Sequence, residues 1–138
     1  MNMVNPLKSY AQIAAQTAPP GALILMLFDK ALSCMETALA GFEYSDPRQK
    51  NETIHNNLRR AVDIIRFLKN SLNLEAGGEL AETLRRLYVY FEDRLVKSNM
   101  GKRRDGIDEV IGHLRPLRDA WAEMLSNGHA ETNEMRVA

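Results

Sequence analysis

The amino-acid sequence predicts an all-α protein, an antiparallel up-down-up-down four-helix bundle with a short extra N-terminal helix. Two observations carry the prediction. Four apolar stripes recur at steps of three and four residues, the spacing of one face of a helix that turns every 3.6 residues. Turn-formers separate them at Pro19-Pro20-Gly21, Asp46-Pro47, Gly77-Gly78 and Met100 to Gly106. Strand-like alternation is not a feature of the chain.

The elements follow in order. Asn5-Pro6 is a helix start, since asparagine caps and proline at the first helical position loses no hydrogen bond. Leu7, Tyr10 and Ile13 then share a face of a helix of about ten residues, too short to be stable unless it docks. Helix one is expected from about Pro20 to Phe42. Leu23, Leu27, Ala31, Cys34, Ala38 and Phe42 form one face, and Ile24, Phe28, Met35 and Leu39 a second. Helix two runs from Asp46-Pro47 to about Leu72, with Ile54, Leu58, Ala61, Ile65, Leu68 and Leu72 as its seam. After a glycine turn, helix three spans about Glu79 to Asn99, with Leu80, Leu84, Leu87, Phe91 and Leu95 inward. Asp105 caps helix four, which carries Ile107, Val110, Ile111, Leu114, Leu117, Trp121 and Leu125. Pro116 inside it predicts a kink at Gly112–Pro116. Residues 1–16 are read as a docking segment, 17–126 as the bundle and 127–138 as a disordered tail.

Composition narrows the function. A chain of 138 residues is one domain by length, able to bury roughly 68–70% of its unfolded surface. Eighteen basic and 18 acidic side chains give a net charge of zero, without the field that non-specific nucleic-acid binding needs. The sole cysteine, Cys34, allows no internal disulfide, and its apolar neighbours mark it as a small buried hydrophobe. No apolar run is long enough to span a bilayer, and the N-terminus lacks a secretory pattern. A soluble, cytoplasmic protein without membrane insertion is expected.

Catalytic chemistry is nearly absent. The sharpest enzymatic alternative is a di-metal carboxylate site, built from Glu52 with His55 and Glu109 with His113, with Glu36 and Glu79 or Glu82 conscripted from the other helices. Ile54 and Leu58 own the inward seam of helix two, and Glu109 and His113 stand four apart rather than three, so no metal site or cofactor is expected. No nucleophile motif or phosphate loop is present. Lys102-Arg103-Arg104 and Arg85-Arg86 read as solvated charges. Tyr88 and Tyr90 flank the helix-three seam, as half-buried tyrosines at an interface do. Asp29 among Leu27, Phe28 and Ala31 is either a polar contact between helices or a specificity group at a groove.

The segment from Thr17 to Ala31, TAPPGALILMLFDKA, resembles the opening helix of the flagellar secretion chaperone FliS family, with Lys30 where the family pattern has glycine. LEAGGELA from Leu74 to Ala81, followed by Leu84, Leu87-Tyr88 and Tyr90, is similar to its second signature. LRDAW from Leu117 to Trp121 matches its closing helix, and Tyr10 its N-terminal tyrosine. Pro116 has no counterpart. These motifs lie in order between about residues 7 and 125.

The resemblance implies a cytoplasmic chaperone without enzymatic activity that binds the C-terminal region of flagellin and presents it to the flagellar export gate. It implies client contacts from Ile24, Phe28 and Met35 on the second face of helix one, and from Tyr88 and Tyr90. It makes Leu7, Tyr10 and Ile13 an N-terminal lid, with Tyr10 foremost. Two copies pairing into a homodimer through the same face, and a generic helical adaptor, remain as alternatives.

Overall fold

The computed structural model describes the backbone of residues 20–137 and the side chains of residues 21–127. Among the described residues there are four helices and no strand: α1 Pro20–Gly41, α2 Pro47–Asn70, α3 Leu74–Gly101 and α4 Asp105–Val137. Leu7, Tyr10 and Ile13 lie outside the described residues.

Local chemistry sets the boundaries. Asp46 caps α2, its carboxylate accepting from the Arg48 amide at 3.3 Å, and Pro47 follows at the first helical position. Asn73 caps α3 by accepting from the Ala76 amide at 3.0 Å. The third helix therefore begins five residues before the expected Glu79. The break expected at the glycines is real, but it sits inside the element. Gly78 has φ 54° and ψ −132°, a region open to glycine and closed to side chains, and distinct from the left-handed helical conformation. That conformation falls instead on Lys102 (φ 50°, ψ 56°), which ends α3 with its amide bonded to the Ser98 carbonyl.

Helix α4 continues through Pro116 to Val137. Gly112 and Pro116 are both exposed, so the carbonyl that proline leaves without a donor is not stranded in the core. The boundary expected near residue 126 is thus not marked by a helix end.

Helix α1 packs on α2 and α4, and α3 packs on the same two. One cluster of buried residues draws on all four helices, from Leu27 and Met35 through Ile54, Leu58 and Ile65 to Phe91, Leu95, Ile107 and Leu114. Cross-helix ties run in opposed order. On α1 and α4, Gly21 meets Trp121, Asp29 meets Arg118 and Glu36 meets Arg115. On α2 and α3, His55 meets Asn99 while Arg66 meets Glu92. At the start of α4, Gly106 is buried against α3: a Cβ there would sit 3.0 Å from the Arg94 carbonyl oxygen and collide with Ser98 Oγ. Glycine is what lets the two backbones approach.

Candidate client-binding surface

Burial along the four seams is lopsided. On α3 the inward seam runs Leu80, Leu84, Leu87, Phe91, Leu95; Phe91 and Leu95 are 0% exposed, Leu84 and Leu87 are half-buried, and Leu80 is 70% exposed. The other helices repeat the gradient. Leu114 is fully buried while Leu117, Trp121 and Leu125 are half-buried, and Leu27 is buried while Leu23 and Ile24 are half-buried. On α2, Leu68 is buried and Leu72 is not. The opposed register brings these four fraying stretches to the same end: α1 and α3 near their starts, α2 at its finish, α4 beyond Leu114. Side chains with core spacing but incomplete cover form an apolar open end.

Trp121, the single tryptophan, anchors that end. Its indole N–H donates to the Gly21 carbonyl at 2.8 Å, tying the first turn of α1 to α4. Two depressions lie along α4. One of about 330 Å³ lies between α1 and α4, lined by Asp29, Leu32, Ser33, Glu36, Arg118 and Asp119, with Arg115 at its border. It continues through Arg115 and Asp119 into one of about 560 Å³ along α4, from Ile111 past Pro116 to Glu123. The charges between the helices are matched: Arg118 donates to Asp29 at 2.7 Å, and Arg115 to Glu36. Asp29 is therefore a cross-helix polar contact. Both carboxylates are exposed, so such pairs hold register more than they stabilise.

The five client-contact residues expected from the sequence are not brought together. Ile24 is half-buried at the open end. Phe28 (3% exposed), Met35 (0%) and Tyr88 (3%) lie inside the common core rather than in a groove. The reason is geometric: α1 touches both α2 and α4, so both of its apolar faces enter the core from Leu27 to Ala38. Tyr90 is 43% exposed, in the α3–α4 seam about 15 Å along the helix from Leu80. Its hydroxyl donates to Glu109, whose other oxygen accepts from Arg94 at 2.7 Å; these bonds hold the Glu109 carboxyl below its usual range. Leu80 and Met124, which is 51% exposed, were not expected as surface groups. The sequence signal is a seam residue placed just past Gly77-Gly78, where non-helical geometry at Gly78 interrupts α3.

Burial pushes the Tyr88 phenol up to about 12 from its ordinary 10. The folded protein thus favours the neutral phenol. That contribution is complete below pH 10, the unfolded value, and is lost as the pH rises from 10 through about 12. Two pKa units correspond to about 2–3 kcal/mol. The Tyr88→Phe variant should lose less stability than the parent between pH 9 and pH 12, measured by denaturant melts.

Cys34 is buried as expected, and burial raises its thiol. The residues of the di-metal alternative are dispersed. Glu52 pairs with Arg48 at 3.1 Å, the His55 ring meets Asn99 at 2.9 Å, and His113 stacks on Phe91 with centroids 6.1 Å apart. Among the described residues no three His, Cys, Asp or Glu side chains are grouped to hold a metal ion. No described helix is long and apolar enough to cross a membrane.

Comparison with known proteins then decides the family. The signature described as Flagellar protein FliS matches residues 3–128. The chain belongs to the FliS family. It is 36% identical to the flagellar secretion chaperone FliS of Salmonella typhimurium over 129 residues, covering 90% of this chain and 93% of that one. It is 34% identical to the flagellar secretion chaperone FliS of Bacillus subtilis over 127 residues, 92% and 91% of the two chains. Its identity to the flagellar secretion chaperone FliSB of Pseudomonas aeruginosa is 31% over 125 residues, 88% and 96% of the chains. FliS is a family of chaperones serving flagellar secretion, not of enzymes.

Proposed function

We propose that this chain is a cytoplasmic export chaperone that binds the C-terminal region of flagellin, keeps it from polymerising early and delivers it to the flagellar type III export apparatus. The observation that carries the reading is the apolar open end, where four helices leave core-spaced side chains half covered. An amphipathic segment of a client, disordered when free, would bury its apolar face there and complete the seams. Such a segment gives up conformational freedom on ordering, so a long contact running on into the α1–α4 depressions is needed for useful affinity.

In this reading the four helices form an antiparallel up-down-up-down bundle, as the opposed cross-helix ties support. Ile24 and Tyr90 touch the client from opposite ends of a wrapped path, while Phe28, Met35 and Tyr88 shape the floor beneath it. Residues 1–16, with Leu7, Tyr10 and Ile13, act as a lid that competes for the same surface and lowers apparent affinity for poor clients. A second copy of the chain is the other competitor for that surface.

The test is binding to intact flagellin and to flagellin lacking its C-terminal segment, followed by calorimetry. Intact flagellin should bind and the truncated form should lose at least about a hundredfold in affinity, a difference of roughly 2.7 kcal/mol. Equal binding to both, or to neither, overturns the proposal.

A further inference from the structure

The border of the open end is charged on one side, and among the described residues that charge is unmatched. Arg94 with Glu109, and Phe91 with His113, set the opposed register of α3 and α4. Continued at equal rise on both helices, that register places Leu80 level with Met124, the two most exposed apolar side chains of this end. Glu79 immediately precedes Leu80, Glu123 immediately precedes Met124, and both carboxylates are exposed. Neither forms an ion pair with a described residue. Arg85 and Arg86 pair with Glu82, Arg118 with Asp29 and Asp119, and Arg115 with Glu36. The α1–α4 depression differs in that each of its charged side chains is paired, Asp29 and Asp119 with Arg118 and Glu36 with Arg115.

We infer that the open end prefers an amphipathic client helix whose apolar face is bordered by lysine or arginine, and that Glu79 and Glu123 supply this preference. The inference rests on the client reading above and adds the chemistry of the segment that docks. Apolar contact at Leu80 and Met124 provides the attachment. The two carboxylates discriminate, because an acidic border on the client would meet like charge and a basic border would be neutralised. Each exposed pair changes affinity by no more than about fivefold, and physiological salt screens it beyond roughly 8 Å.

The experiment uses the full chain and two tryptophan-free amphipathic peptides of about 18 residues with one apolar face in common. One carries lysine and arginine along the borders of that face and the other glutamate. Trp121 emission reports occupancy, since its indole is half-buried at this end, and calorimetry gives the affinities. At low salt the basic-bordered peptide should bind about five- to twentyfold more tightly. High salt, and the Glu79→Gln/Glu123→Gln double variant, should each bring the two peptides within about twofold. Both positions are exposed, so the variant should melt as the parent does. Equal affinities at low salt, a preference for the acidic border, an unchanged preference in the double variant, or binding of neither peptide overturns the inference. Flagellin that binds while the peptides show no border preference sinks this inference alone; flagellin that fails to bind removes the client reading as well.

Discussion

Truncating Phe91 to alanine is expected to lower the unfolding free energy by about 3–5 kcal/mol, the range for deleting a fully enclosed aromatic ring. Phe91 is 0% exposed and is contributed by α3 to a core that all four helices share. Its ring lies 6.4 Å from the Tyr88 ring in an edge-on pair, 6.4 Å from Tyr90 and 6.1 Å from the stacked His113. Those neighbours stand on two helices, so the space left by the ring cannot close by moving one side chain. Chemical denaturation followed by circular dichroism measures the loss, with the midpoint moving to lower denaturant at unchanged slope. A change below about 1 kcal/mol would mean that α3 is not anchored at this position.

The converse substitution lies on the same seam. Leu80→Asp should leave stability within about 0.5 kcal/mol of the parent, because the side chain is 70% exposed and gives up little cover when replaced. Its effect on flagellin binding should be large, a loss of about 10- to 100-fold. A buried leucine is worth roughly 1.5–3 kcal/mol, and a carboxylate forced into the same contact adds a desolvation cost. Calorimetry against intact flagellin, paired with a thermal melt, separates the two readouts. Unchanged affinity would place the client elsewhere on the molecule. A collapsed melt would show that Leu80 already belongs to the core.

The contrast between Phe91 and Leu80 also shows what periodicity reveals. Both belong by spacing to one inward stripe, and in phase they do share it. Spacing along a helix reports which direction a side chain points, but not whether the neighbouring helices extend far enough to cover it. Depth depends on where the other three elements begin and end, and those limits follow from caps. Asp46-Pro47 reads as a cap in the sequence; Asn73 does not, because Gly77-Gly78 is the stronger breaker nearby. The two faces of α1 were also visible in the sequence. Their assignment to groove or core was not, because it turns on α1 having two neighbours, a property of the assembled helices. Phe28 and Met35 went inside for that reason.

The uneven burial has a thermodynamic corollary. Where seam residues have few neighbours, the helices can part locally at a smaller free-energy cost than the global transition requires. Fraying at that end leaves the region around Phe91 and Leu95 intact, so the chain can yield without unfolding. A guest that supplies the missing neighbours stabilises the host in proportion to its occupancy, and host and guest then share a single hydrophobic interior.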